Sequence, residues 1–357
     1  MATRLMIGDV REQLTLIDES SVDCVVTSPP YWGLRDYGVD GQIGLEKTIG
    51  EHLAVMVEVF ELVRRVLKPT GTLWLNYGDC YATSPNGRSA AATKAAGNDN
   101  RTFRDKPFST IQGVLKPKDL CMVPNRLAIA LQESGWWVRS EIIWAKPNPM
   151  PESVRDRPAS SHEKIFMLTK SPRYFYNADA VRQKMAASSV SRLSQDVENQ
   201  IGSTRANGGR KSNGNMKAVG KIRGHIREHE GFIGKWDEMT KAEQQANGRN
   251  LRNYEPAPVD VWPIATRPFS EAHFATFPPE LAERCILAGC PKDGVVLDPF
   301  GGAGTTALVA ERHGRDAILI ELNPEYASLT QLRLNRELGM FAKIESNDNF
   351  AEAANAA

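Results

Sequence analysis

The chain has 357 residues, 41% of them hydrophobic and 24% charged, with 44 Lys and Arg against 43 Asp and Glu. That length can hold two or three domains around a large core, and the near-zero net charge confines any nucleic-acid affinity to local patches rather than a global field. No stretch approaches the roughly 20 apolar residues of a membrane span, and the N-terminus carries no signal-peptide core.

Five cysteines, at 24, 80, 121, 285 and 290, include no Cys-x-x-Cys pair. They read as reduced thiols of a cytoplasmic protein, and the scattered histidines argue against a metal site.

Arg4-Leu5-Met6-Ile7 predicts a short strand that ends at Gly8-Asp9, with a helix following through Leu14 and Ile17. Open parallel sheets take their ligands outside the carboxyl ends of strands, so Asp9 is placed either to reach a bound molecule or to cap the helix. Val22-Asp23-Cys24-Val25-Val26 predicts a buried strand, stopped by Thr27-Ser28-Pro29-Pro30-Tyr31 because neither proline can donate to a ladder. The strand ends by offering a hydroxyl on Ser28, fixed carbonyls beside Pro29 and Pro30, and the aromatic face of Tyr31. That set suits a flat ring carrying an amino group; it also suits a plain strand-ending turn with a core tyrosine.

Residues 33–50 are glycine-rich, carry Arg35, Asp36 and Asp40, and read as a mobile loop. His52 to Leu67 has a helical apolar period, which Lys68-Pro69-Thr70-Gly71 is expected to stop. Thr72 to Tyr77 predicts the next strand, again ending in Gly-Asp. Residues 82–106 are small and polar, and predict a loop that is disordered or ordered by a bound partner. A helix over Pro124 to Glu133 and strands over Trp136 to Trp144 and Lys164 to Thr169 follow, the strands joined by a proline-rich connection.

Residues 181–255 hold fourteen Lys and Arg against eight Asp and Glu. Arg205, Arg210, Lys211, Lys217, Lys221 and Arg223 read as a surface that tracks phosphates, with a solvated linker as the alternative. Core character returns at Val259, and Pro278-Pro279-Glu280 opens a helix. Val295-Val296-Leu297-Asp298 then runs straight into Pro299-Phe300-Gly301-Gly302-Ala303-Gly304-Thr305-Thr306 and a further helix. The next strand ends at Glu321, placed about 20 residues beyond the loop to grip a ribose diol. Gly302, Gly304 and Ala307 also fit the G-x-G-x-x-A dinucleotide fingerprint. Only one strand and one further helix remain, too little for the two halves of a dinucleotide fold built forward from that point.

Asp298 to Thr306 resembles the S-adenosylmethionine motif of the DNA amino-methyltransferases, Asp-Pro-Phe-x-Gly-x-Gly-Thr-Thr, at every fixed position, and the likeness continues through Glu321-Leu322-Asn323-Pro324-Glu325-Tyr326. Ser28-Pro29-Pro30-Tyr31 resembles that family's catalytic motif. Catalytic motif first and cofactor motif last is the order of the β class. The resemblance implies an α/β, Rossmann-like, circularly permuted methyltransferase fold with an inserted target-recognition region. Its parts would be a catalytic half over 1–179, the basic insertion over 180–256, a cofactor half over 257–340 and a tail over 341–357.

By the same resemblance Asp9 would meet the adenine of S-adenosylmethionine and Glu321, with Asn323 beside it, the ribose. Asp298, Pro299 and the loop through Phe300, Gly302, Gly304, Thr305 and Thr306 would surround the methionine part. Ser28 and the Pro29 carbonyl would accept the hydrogens of a flipped base's amine, with Pro30 shaping the turn and Tyr31 stacking on the ring. The implied partners are double-stranded DNA and a cognate restriction endonuclease. Serine before Pro-Pro resembles the members that methylate N4 of cytosine, whereas aspartate or asparagine goes mostly with N6 of adenine. RNA or protein amides are the outlying alternative substrates.

Overall fold

The computed structural model describes residues 2–84, 107–182, 258–267, 277–339 and 343–347. The chain divides into two compact units, one of residues 1–181 with 260–357 and one of residues 182–259. All described strands and longer helices belong to the first. Most of the polar loop at 82–106 and nearly all of the basic stretch lie outside the described residues, with Arg205, Arg210, Lys211, Lys217, Lys221 and Arg223 among them.

The strands in chain order are β1 (Thr3–Ile7), β2 (Val22–Thr27), β3 (Leu67–Tyr77), β4 (Trp137–Ala145), β5 (His162–Thr169), β6 (Val261–Pro263), β7 (Val295–Asp298), β8 (Asp316–Glu321) and β9 (Ile344–Ser346). They form one sheet in the order β6-β4-β5-β3-β2-β7-β8-β1-β9. The helices are α1 (Val10–Thr15), α2 (Ile49–Val66), α3 (Val123–Glu133), α4 (Pro279–Gly289), α5 (Thr305–Arg312) and α6 (Pro324–Leu338). Alternation along the strands sends Val25, Leu73 and Leu75 to a core shared with α1, α2 and α3. Cys24, Val26 and Trp74 point the other way, to a core shared with α4, α5 and α6. A sheet covered on both faces needs strands that are apolar on both faces, and β2 is buried along its whole length.

The expected permutation is present. The last two core strands, β7 and β8, sit between β2 and β1, with β1 parallel to β8 in the register Thr3↔Ala317 to Ile7↔Glu321. Ala2 N–H donates to Asp316 Oδ1 at 2.8 Å and Thr3 N–H to the Lys343 carbonyl at 2.8 Å, so the two ends of the described chain meet beside one strand.

Three local expectations change. Helix α2 begins at Ile49 rather than His52, because Thr48 and Glu51 form a reciprocal capping box. Lys68-Pro69-Thr70-Gly71 does not form a separate turn; it is the start of β3, and the extra residues are absorbed as a register shift against β2 between Val22 and Cys24. Residues 344–346 of the expected tail add a parallel edge strand to β1.

Candidate active site

Four strands of the sheet, β2, β7, β8 and β1, deliver their carboxyl ends to one cleft. Its walls include Asp9 after β1, Ser28, Pro29, Pro30 and Tyr31 after β2, Asp298, Pro299, Phe300, Gly302 and Thr305 from β7 and its loop, and Glu321 and Asn323 after β8. The two motifs, some 270 residues apart in sequence, are joined by a bond between buried side chains: Thr27 Oγ1, immediately before Ser28, donates to Asp298 Oδ1 at 2.7 Å. Parallel pairing of Val25 with Leu297 sets up that contact.

Asp298 is 2% exposed. Besides Thr27 it accepts the Phe300 N–H at 3.1 Å and the Thr306 hydroxyl at 2.7 Å. Burial pushes its carboxyl up to about 6, against the pull of these donors. It ties the glycine loop to the strand that ends at Ser28, as well as lining the cleft. Thr306 and Gly304 stand behind the wall rather than in it. Gly304 has φ +72, and a Cβ there would lie 2.6 Å from Thr330 Cγ2 on α6, so glycine is required on two counts.

Glu321 accepts the Gly302 N–H at 2.9 Å on one carboxylate oxygen and the Asn323 N–H at 2.9 Å on the other. Burial raises its pKa. Asn323 caps α6 through Oδ1 to the Glu325 N–H at 2.9 Å. Asp9 lines the cleft, and it also caps α1 by accepting the Arg11 N–H at 2.8 Å. The Arg11 guanidinium grips both of its oxygens, at 3.0 and 2.7 Å, and holds its carboxyl below the usual range.

These acids decide which ligand the glycine loop fits. A diphosphate needs free backbone donors at the loop. Here the Phe300, Gly301, Gly302 and Gly304 N–H groups are donated to Asp298, the Ile320 carbonyl, Glu321 and the Gly301 carbonyl respectively. Three carboxylates, Asp9, Asp298 and Glu321, meet at the ends of neighbouring strands. Loop donors already spent within the protein disfavour a diphosphate, and the acids around the loop favour a cationic ligand.

The Ser28–Tyr31 turn is held from below. Gly78 lets the Tyr31 ring approach, since a Cβ there would lie 2.6 Å from Tyr31 Cε2. Tyr31 stacks on Tyr77 with ring centroids 4.6 Å apart. The Tyr77 hydroxyl receives the Trp32 N–H at 2.9 Å and lies 3.4 Å from the Pro30 carbonyl. Buried His52 joins it to the loop, with Nε2 2.8 Å from Tyr77 Oη and Nδ1 2.8 Å from Glu46 Oε2. Although burial raises the Glu46 carboxyl, its bonds to His52 and the Gly44 N–H bring it below the usual range. Sequence reading missed this chain because His52 looks like an ordinary residue of an amphipathic helix. It also missed Tyr37, Gln42 and Phe277 on the cleft wall, which belong to no motif.

A family model described as DNA methylase matches residues 22–332. The chain is 41% identical over 327 residues to the Type II methyltransferase M.XycI of Xanthomonas campestris pv. cyanopsidis, covering 92% of this chain and 86% of that one. It is 41% identical over 330 residues to M.Cfr9I of Citrobacter freundii (92% and 87% covered) and 39% identical over 333 residues to M.SmaI of Serratia marcescens (93% and 91%). Its fold resembles the cytosine-N4-specific PvuII DNA methyltransferase (TM-score 0.57, 18% identity, 97% of this chain and 95% of that one). A Thermus thermophilus protein solved with S-adenosyl-L-methionine is similar in the same sense (TM-score 0.53, 24% identity, 97% and 100% covered). With both motifs at one cleft and the cofactor motif last in the chain, the protein belongs to the DNA methylase family, as a β-class DNA amino-methyltransferase whose cofactor is S-adenosylmethionine.

Proposed function

We propose that the enzyme methylates the exocyclic N4 of a cytosine flipped out of a specific duplex site. The observation that carries the choice of base is Ser28, the residue before Pro-Pro. In the family resemblance serine goes with cytosine N4, and aspartate or asparagine mostly with adenine N6. The target amine is buried by pairing and stacking, so the base must leave the helix to be reached. Ser28 Oγ and the Pro29 carbonyl accept its two hydrogens and turn the nitrogen lone pair toward the cofactor side of the cleft. Tyr31 stacks on the ring through the face opposite Tyr77. When bound, S-adenosylmethionine supplies a methyl group on a positively charged sulfur, held by Glu321, Asn323, Asp9 and the Phe300–Thr305 wall. What the chain would add is alignment: the methyl group would pass from sulfur to nitrogen, leaving a neutral thioether, and the amine would release one proton to solvent.

Digestion of DNA methylated by the purified enzyme, with the nucleosides identified by mass spectrometry, tests the reading: N4-methylcytosine is expected, and N6-methyladenine alone would overturn the choice of base. We further propose that Arg205, Arg210, Lys211, Lys217, Lys221 and Arg223 track DNA phosphates. Neutralising Arg210, Lys211 and Arg223 together would then lower the salt slope of DNA binding by about 3 while cofactor affinity stays unchanged. An unchanged slope would make the stretch a linker. The relatives named Type II methyltransferases support a setting beside a cognate restriction endonuclease.

A further inference from the structure

Beneath the catalytic turn lies a cluster that neither motif contains. Glu163, at the start of β5, forms an ion pair with Lys146, which directly follows β4. The other oxygen of Glu163 receives the Asn76 side-chain amide at 3.1 Å and lies 2.9 Å from the Tyr31 hydroxyl. The Tyr31 hydroxyl is in turn 3.1 Å from Ser28 Oγ. Lys146 Nζ is held over the Trp144 ring, 4.5 Å from its centroid. Glu163, Asn76 and Lys146 are not among the residues that wall the cleft.

We propose that Glu163 is a positioning residue that acts through Tyr31 to fix the direction of the Ser28 hydroxyl, so that Ser28 meets the target amine as an acceptor. A carboxylate paired with a lysine has only lone pairs to offer, so the single proton of Tyr31 must point at it. The other acceptor near that proton, Asn76 Oδ1, is 3.5 Å away and does not compete. With its proton spent, Tyr31 Oη can only accept from Ser28, and Ser28 spends its own hydrogen on Tyr31. The Ser28 lone pairs then face the substrate. Without this chain the hydroxyl is free to rotate and to set its hydrogen against an N–H of the amine. Burial and the charge of Glu163 both push the Tyr31 pKa up, which keeps the phenol a donor at neutral pH. The inference rests on the role proposed for Ser28 and holds for either amine, so the identity of the methylated nucleoside does not bear on it.

The test is a double-mutant cycle read in single-turnover methyl transfer to DNA, with cofactor affinity measured calorimetrically on each variant. Glu163→Gln and Tyr31→Phe are each expected to slow transfer about tenfold. Cofactor affinity should stay within about twofold of wild type. Because the phenylalanine already breaks the chain, the double variant should be no slower than Tyr31→Phe alone. A double variant slowed by the product of the two single factors would overturn the proposal, as would an unchanged rate in Glu163→Gln. Failure of the wild-type enzyme to methylate DNA would instead remove the underlying reading and this inference with it.

Discussion

Asp298 shows how one residue can carry both a fold and a site. Its carboxyl is pushed up to about 6 from an ordinary 3.8 because burial outweighs the three donors around it. A raised acid binds its proton more readily folded than unfolded, so its contribution to stability grows as pH falls from about 6 toward 3.8 and shrinks as pH rises through that window. The full effect is about 3 kcal/mol. Asp298→Asn keeps an acceptor for Thr27 and the Phe300 N–H, while Thr306 can turn its hydrogen to the Val26 carbonyl at 3.3 Å. The stability of wild type relative to Asp298→Asn should therefore rise on acidification from pH 7 to pH 4. Denaturant titrations at several pH values measure it directly. A difference independent of pH would mean that Asp298 is not strained by burial.

At the scale of elements, the sequence exposes what is local and hides what is paired across distance. The strand into Ser28-Pro29-Pro30 and the strand into the glycine loop are legible because prolines and glycines end them within a few residues. The capping box at Thr48 and Glu51 is equally local, a Thr-x-x-Glu spacing just ahead of the helix. Strand β5 is visible as an apolar run, but an apolar run has no direction. Its antiparallel pairing with both β3 and β4 comes from tertiary contact. That reversal matters to the site, because it brings Glu163 at the beginning of β5 alongside Asn76 near the end of β3. Glu163 and His52 have nothing unusual in their own neighbourhoods. Their partners, Tyr31 and Tyr77, lie 132 and 25 residues away. Hydrogen-bond chains of this kind leave no spacing pattern to find, whereas the motif residues that line the cleft do.

For the molecule as a whole, the sheet sets which strands are neighbours, and the chain visits them out of that order. The β1–β8 neighbour relation is maintained by a parallel ladder of five residue pairs and the β1–β9 relation by three, although no short connection joins either pair. At one end of β1, Ala2 N–H reaches Asp316; toward the other, the Asn347 side chain brackets Ile7, accepting its N–H at 2.8 Å and donating to its carbonyl at 3.3 Å. The gap to be closed between residues 347 and 2 is therefore about the length of β1, or ~17 Å at the rise of a strand. Residues 348–357 can extend over ~33 Å, ample to close it without an added linker. Joining Ala357 to Ala2 and opening the chain between Val181 and Arg182, at the boundary of the two units, would restore the unpermuted order with the cofactor motif ahead of the catalytic one. Such a chain should fold, because termini that lie together tolerate rejoining and the new break crosses no strand. It is expected to bind S-adenosylmethionine within about threefold of the wild-type affinity, measured by calorimetry. Loss of binding in a soluble, folded permutant would show that the cleft depends on the order in which the chain visits the strands. In that case chain order would shape the cofactor cleft after all.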